Sequence, residues 1–461
     1  MSAPTLHVPT RRNAELLLLA FAVLLVVAAE GAFEATRDGH VSSRLATYAA
    51  VPLVVGLVTH VVIRRVAPYA DPLLLPIAVA LNGLGLVMIH RLDVGLKQQA
   101  DQAGQQFAGA AAPSQVIWTS VGVALFVILI VVIRDHRALQ RYAYTLALFG
   151  VFLLVLPALL PARFSQINGA RIWIRLAGFS MQPGEFAKIL LCVFGASYLV
   201  TKRDVLSLAG RRIAGIDLPR GRDLGPLLAA WLICIGVLVR GHDLGTSLMF
   251  FGLFVVLIYV ATERASWLII GALLFVGGTY IAYQLFGTVQ TRVGVWLHLF
   301  SPVHNDDGYQ LRQSIYGLSN GGLFGTGLGG GHPERIPLPG TDFIIASFGE
   351  EIGLFGLVGI VMMYVLFVSR GLAAGLAVRD SFGKLLATGL SFLFAWQLFV
   401  VVAGVTRLLP ETGLTTPFLS YGGSSLLSSY AVLAILLRIS DAARRPTNVA
   451  PNQVPAESVP A

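Results

Sequence analysis

Charge is what this chain has least of. Only 12% of its 461 residues are Asp, Glu, Lys or Arg, about half the share of an average soluble domain. A surface that faces water on every side is excluded by that scarcity. Cysteine is nearly absent: Cys192 and Cys234 both fall inside apolar runs, which excludes a disulfide framework and metal clusters built on cysteine. No HxxxH or HExxH pattern occurs, so nothing supports a catalytic zinc site. Acidic residues are the scarcer sign, 24 against 33 Lys and Arg. The resulting net charge of +9 is spread over loop ends rather than gathered in one patch. That pattern reads as topology signals and contacts with anionic lipid, not as a nucleic-acid surface.

Long apolar runs take the place of charge. Hydrophobic residues make up 56% of the chain, and runs of near-spanning length recur at 15–33, 45–63, 73–90, 116–133, 142–160, 182–201, 224–239, 243–262, 266–287, 343–369, 384–405 and 420–438. The predicted fold is an all-α polytopic membrane protein of about 12 transmembrane helices. Glu30 follows the first run and no small-residue cleavage pattern is convincing, so that run is no cleavable signal. Segment 202–223 alone carries six basic residues, and the positive-inside rule then places it and both termini in the cytoplasm. Residues 1–14 read as a polar cytoplasmic segment and 441–461 as a disordered Pro- and Ala-rich tail. The chain has no inverted pair of broken helices, which argues against a secondary transporter.

The few charges inside or beside apolar runs are the candidate chemistry. In IPLPGTDFIIASFGEEIGLFG (336–356), Asp342 stands where a polar loop enters an apolar segment, and Glu350 and Glu351 lie within it. An ionised side chain at bilayer depth costs roughly 2.5–3.5 kcal/mol on insertion scales, so such groups are seldom idle. Asp342 can be a helix cap or an acid at the membrane boundary, within reach of a lipid-linked head group. QPGEFAKI places Gln182, Glu185 and Lys188 three apart on one helix face, as a structural ion pair or a polar patch bordering a cavity. HDLGTS fits an N-terminal cap by Asp243. His242 beside it reads as a solvated loop residue. Arg163, Arg171, Arg175, Arg240, Arg292, Arg312, Arg335 and Arg407 fall in predicted exterior loops, where topology does not ask for them. Segment 161–181 adds Asn168 and Trp173. In the long loop 288–341, Leu311, Ile315 and Leu318 recur at helical spacing, predicting a short interfacial helix before the Gly-rich run 321–331. That run lacks a Lys-Ser/Thr ending and is no nucleotide loop. It reads as a flexible turn, or as backbone N–H groups approaching a pyrophosphate.

In order along the chain, NGARIWIRLAGFSMQPGEFAKI, DLGTS, GYQ…QS…GG.FGTGLG, LPGTDFIIASFGEE and TGLTTPFLSYGGSS resemble the SEDS family (shape, elongation, division and sporulation), the group that includes RodA and FtsW. LNGLGLVMIHRLD and RDSFGKLLATGLS look most like its actinobacterial RodA-type members. The resemblance runs from about residue 75 to 440. It implies a ten-helix core over 73–440, preceded by two additional helices in 15–72. It further implies a peptidoglycan glycosyltransferase that polymerises lipid II on the outer face of the plasma membrane for cell elongation and shape, paired with a class B penicillin-binding protein. Asp342 falls on the family's essential exterior aspartate, and Gln182, Glu185, Lys188 and Asp243 on its other polar motif positions. Gly184 replaces the usual Ser of QPSE, and Gly340 stands where many members have His.

The chemistry expected from that resemblance is an inverting transfer from a polyprenyl-diphosphate-linked glycan strand to lipid II, with Asp342 as general base. Arg171, Trp173, Arg175, Gln182, Glu185, Lys188, Asp243, Arg312, Glu350 and Glu351 are the candidate substrate-binding residues. Arginines pair bidentately with phosphate oxygens and suit a departing diphosphate. A divalent cation such as Mg2+ or Mn2+ is the one cofactor this chemistry invites, although the sequence contains no dedicated cage for it. The alternatives are a lipid II flippase and a non-catalytic scaffold for the penicillin-binding protein.

Overall fold

The structure, a computed structural model, describes residues 10–40, 44–107, 109–167, 170–176, 179–207, 211–213, 216–218, 243–304 and 306–446, with isolated positions at 225, 229, 232 and 236. Thirteen helices of more than one turn run in chain order: α1 (Arg12–Asp38), α2 (Arg44–Val66), α3 (Leu74–Gln102), α4 (Ala112–Val132), α5 (Ala143–Leu159), α6 (Gly184–Ser207), α7 (Leu244–Thr262), α8 (Ser266–Leu285), α9 (Gly287–Leu297), α10 (Tyr309–Gly321), α11 (Ile344–Ala377), α12 (Ser381–Val405) and α13 (Gly423–Arg444). Among the described residues, ten helices are long and apolar enough to cross a membrane, and α5 is a shorter apolar helix. The chain is a polytopic all-α membrane protein. Eleven of the predicted spans correspond to these helices; the seventh, 224–239, lies outside the described residues, as do Asn168, Arg240, His242 and Cys234.

Burial sorts the helices by their polarity. The strongly apolar α1, α4 and α8 leave most of their surface exposed, whereas α3 and α13 are almost wholly enclosed. Lipid-facing helices must be apolar all round, but an enclosed helix can carry polar groups if neighbours satisfy them. Thus α13 buries Ser424, Ser425, Ser428, Ser429, Arg438 and Asp441. At its heart Phe367, Phe394, Phe418 and Tyr430 pack ring to ring, with Phe418 and Tyr430 edge-on at 5.3 Å and 87°.

Short segments between the helices add what the helical pattern does not announce. Residues 166–181 form two hairpins, β1 (Gln166–Ile167) with β2 (Ala170–Arg171) and β3 (Ile174–Leu176) with β4 (Phe179–Met181). A third pair, β5 (Arg211–Ile213) and β6 (Ile216–Leu218), lies between α6 and α7. The predicted interfacial helix is α10, with Leu311 buried and Ile315 and Leu318 packed on the core. At the bundle end remote from Asp342, Asp71 accepts hydrogen bonds from Arg370 at 2.8 Å and from Arg444, joining the α2–α3 connection to α11 and α13.

α11 is not one continuous helix. Gly353 has φ +64° and ψ −171°, which breaks the intrahelical ladder. The Gly-rich run repairs the break. N–H groups of Thr326 and Gly327 donate to the carbonyls of Glu350 and Glu351 at 3.0 and 2.9 Å. In return the carbonyls of Gly322 and Leu323 accept from Leu354 and Phe355 at 3.0 and 3.1 Å. A broken helix is tolerated at membrane depth only when its freed backbone groups are satisfied in this way. The run 321–331 is therefore a backbone patch on α11. The N–H groups of Gly325, Thr326, Gly327 and Gly330 are bonded within the protein, so these four are not free to cradle a pyrophosphate.

Candidate active site

Asp342 is presented by a tight turn rather than by a helix. Leu338 takes the left-handed region (φ +53°) and its carbonyl accepts from the N–H of Thr341 at 3.2 Å. The segment 416–421 clamps that turn from outside: Ser420 Oγ donates to the Thr341 carbonyl at 2.7 Å, and the Tyr421 N–H to the Gly340 carbonyl at 2.7 Å. Ser347 Oγ holds Pro339 O at 2.9 Å from within α11. The cap position of α11 is Phe343, with no side-chain capping bond there. Asp342 is thus not the helix cap; its half-buried carboxylate is left available.

Charged groups from two other segments, Arg292 and Glu411, face it. Arg292, on α9, is the cationic neighbour shared by Asp342, Glu411 and Asp243. Its Nη1 donates to the Glu411 carbonyl at 3.0 Å. Burial pushes the Asp342 carboxyl above its ordinary range, with partial relief from a Thr341 hydrogen bond and from Arg292. Glu411 is raised for the same reason, burial first, with Arg292 opposing and the Asp342 charge adding to the rise. Beside them, Thr288, Thr291, Arg292, Val295, Asp307, Gln310, Leu311 and Glu411 line a cleft of about 380 Å³. Gly413 (φ +68°) faces the carboxylate closely: a Cβ there would stand 3.7 Å from Asp342 Oδ2. Arg292 and Glu411 were not among the sequence's candidate site residues. Arg292 was visible only as one exterior arginine of eight, and Glu411 sits more than a hundred residues away from it.

The helix-borne candidates converge in a buried network. Lys188 Nζ donates to Glu185 Oε2 at 2.7 Å and to Gln397 Oε1 at 2.8 Å. Ser428 Oγ donates to the same Glu185 oxygen at 2.7 Å, and Gln397 Nε2 to the Thr415 carbonyl at 2.7 Å. So α6, α12 and α13 share one ion pair, and it reaches the loop that holds Glu411. Asp243 caps α7 through Thr246 N–H at 2.9 Å and also accepts from Gln182 Nε2 at 3.4 Å. Gln182, Gly184, Asp243 and Arg171 line a narrow crevice of about 10 Å³. A Cβ on Gly184 would meet Thr246 Cγ2 at 3.6 Å and Leu154 Cδ2 at 3.7 Å, ordinary contacts, so the serine common at that motif position would fit.

Other candidates are engaged elsewhere. Glu350 accepts from Asn320 Nδ2 at 3.1 Å and from the His332 N–H at 2.9 Å. Glu351 pairs with Arg91 of α3. Both tie the Gly-rich run to α11, and they follow Asp342 by eight and nine residues, about 12 Å of helix. Arg312 donates to Leu299 O at 3.0 Å and Arg407 to Trp296 O at 2.7 Å; these are the carbonyls at and just beyond the C-terminus of α9, where cationic side chains belong. Trp173 is half-buried with its N–H on Ser165 O at 3.3 Å, Arg175 is exposed, and Arg163 lies over the Phe164 ring at 4.6 Å. Among the described residues no three His, Cys, Asp or Glu converge as a metal cage.

The whole arrangement has counterparts. RodA peptidoglycan glycosyltransferases of Mycobacterium tuberculosis and Mycobacterium leprae are each 52% identical to this chain, over 97% and 96% of it and 94% and 93% of their own lengths. A probable peptidoglycan glycosyltransferase FtsW of a Geobacter species is 33% identical over 82% of this chain and 98% of its own. Among solved structures, a chain from a peptidoglycan synthase complex that coordinates polymerization and crosslinking matches with a TM-score of 0.61 at 26% identity, covering 82% of this chain and 99% of that one. The rod shape determining protein RodA of Thermus thermophilus matches at 0.54 and 25%, covering 80% and 97%. A family model described as cell cycle protein, of the FtsW, RodA and SpoVE group, covers residues 72–445. With that match spanning most of its length, the chain belongs to the FtsW/RodA/SpoVE family.

Proposed function

We propose that this protein is a peptidoglycan glycosyltransferase that polymerises lipid II into glycan strands. The near-full-length identity to mycobacterial RodA supports the activity. The observation that carries the mechanism is the half-buried Asp342 carboxylate beside Arg292, a residue that itself lines a cleft of about 380 Å³. In the transfer, Asp342 accepts the proton of the lipid II 4-hydroxyl as that oxygen attacks the anomeric carbon of the strand. The bond from that carbon to the diphosphate–polyprenyl group breaks with inversion, and the diphosphate leaves with its electron pair. Arg292 is placed to meet that negative charge, since a desolvated guanidinium stabilises it more than water can. No step is routed through a metal ion. Asp342, the cleft and the strands β1 to β4 all lie at one end of the bundle, which in this reading is the outer membrane face; Lys202 and Arg203, near the end of α6, lie at the other.

The flippase reading has less support. Its polar path would need Glu185 and Lys188 open to substrate, yet they satisfy each other, Gln397 and Ser428. The likeness to a peptidoglycan synthase complex supports a heterodimer with a class B penicillin-binding protein. The test is purified protein in liposomes with labelled lipid II, wild type against Asp342→Asn. Polymer from wild type alone is the expected result. Translocation without polymer would establish the flippase, and neither activity the scaffold. Polymerisation by the Asp342→Asn variant at the wild-type rate would remove the base assignment.

A further inference from the structure

The four residues His90–Asp93 of α3 make contacts that the proposed reaction does not use. His90 Nδ1 meets Glu30 Oε1 of α1 at 2.7 Å, stacks on Tyr48 of α2 (4.0 Å, 22°) and takes Phe33 of α1 edge-on at 5.6 Å. Arg91 pairs with Glu351 of α11 and with Glu334 at 2.7 Å, and reaches the Gly331 carbonyl. Leu92 Cδ1 lies 3.6 Å from where a Cβ of Gly340 would stand, in the turn that presents Asp342. Asp93 accepts from the N–H groups of Ala111 and Ala112 at 2.8 and 2.7 Å. One turn of helix thus touches α1, α2, the Gly-rich run and the Asp342 turn in succession. A second link bypasses it: a Cβ on Gly329 would stand 3.0 Å from the Phe33 ring and 3.4 Å from its carbonyl oxygen, so α1 lies directly on that run.

Nothing in the transfer itself calls for α1 and α2. The family match begins at residue 72, and the solved relatives align over 97–99% of their own chains but 80–82% of this one. The pair nevertheless buries Glu30 and Glu34, and carboxyls are costly at that depth.

We propose that α1 and α2 act as a brace for the catalytic turn: Glu30 and Phe33 fix His90, and the His90–Leu92 turn of α3 in turn fixes the loop 329–342 that positions Asp342. Glu30, Phe33 and His90 are positioning residues; none of them touches substrate. The proposal rests on the polymerase reading for its kinetic arm only. Misplacing a general base by about 1 Å costs on the order of 100-fold in rate without a matching change in binding. His90→Ala, and separately Glu30→Leu, which removes the acceptor at similar size, are compared with wild type, with rates counted per folded molecule after size-exclusion chromatography. The expected result is a fall in kcat of about 10- to 100-fold with KM within about 2-fold, restored largely by His90→Gln, which retains a donor toward Glu30. In the same variants, amide hydrogen exchange over residues 329–343 should quicken at least several-fold while α12 and α13 keep wild-type protection. Wild-type kcat together with unchanged exchange would overturn the brace. A rise in KM alone would overturn it as well, because that would mark direct contact with substrate. If wild type itself makes no polymer, the polymerase reading fails, and the exchange measurement alone decides the brace.

Discussion

Asp342 carries opposing demands in one side chain. Its burial raises its proton affinity, while Arg292 and Thr341 lower it, and burial dominates. A base must be deprotonated to act, so the rate should be lost as pH falls through a pKa above the ordinary 3.8. The acid limb of kcat/KM for polymerisation is therefore expected above that value. Arg292→Gln should move the limb to still higher pH, because it removes the charge that favours the carboxylate. A limb unmoved by Arg292→Gln would show that the titrating group is not Asp342. The Glu185–Lys188 pair poses the complementary case, a satisfied charge pair in an enclosed site. Either single Ala change strands its partner and should cost about 3–5 kcal/mol, with the double change less damaging than the sum. Thermal unfolding in detergent of both singles and the double checks this; additive losses would mean that the contact contributes nothing.

Among the elements, the break in α11 has the clearest structural logic. At Gly353 the chain takes a φ that only glycine adopts cheaply, and a Cβ there would stand 2.6 Å from the Leu323 carbonyl oxygen. Gly353→Ala should thus destabilise the protein by more than about 2 kcal/mol, combining left-handed strain with a backbone clash. Gly359→Ala, in the same helix with nothing within 4 Å, is the matched control and should be neutral or mildly stabilising. Comparable melting temperatures for the two variants would refute the account of the patch. The same break explains why Glu350 and Glu351 are enclosed: their carbonyls and carboxylates both hold the Gly-rich run.

At the scale of the molecule, small residues serve internal packing before any partner. A Cβ on Gly423 would overlap the Trp118 ring of α4, and one on Gly371 would overlap Ser391. The Gly-Gly-Ser-Ser start of α13 is likewise taken up by internal packing, because α13 is enclosed by its own chain. α11 instead exposes Leu354, Phe355, Val358 and Met362, and α12 exposes Phe399. The partner's membrane helix is accordingly predicted to cross-link to cysteines placed at the Asp342 end of α11 or α12. Cross-links confined to α1 and α2 would exclude that placement.

Much of this was legible from residues alone, and the limit is physical. Apolar runs record a solvent requirement that each helix meets by itself, so eleven spans and the helix at 309–321 could be read one at a time. The pairing of Glu185 with Lys188 and the capping by Asp243 are likewise local, set by three-residue spacing. Whether Asp342 caps a helix or stands available depended on where its turn is pinned, and the pins come from Ser420 and Tyr421. Arg292 and Glu411 became neighbours of Asp342 only through the packing of α9 against the 406–422 loop. The Gly-rich run shows no periodicity, and four of its backbone bonds go to a helix break distant in sequence. Sequence thus determined the membrane helices, dictated by local chemistry, and marked Asp342 as a candidate acid through its place at the edge of an apolar segment and the family resemblance. Tertiary structure alone decided which charges surround that acid, because contacts across a hundred residues leave no period in the chain.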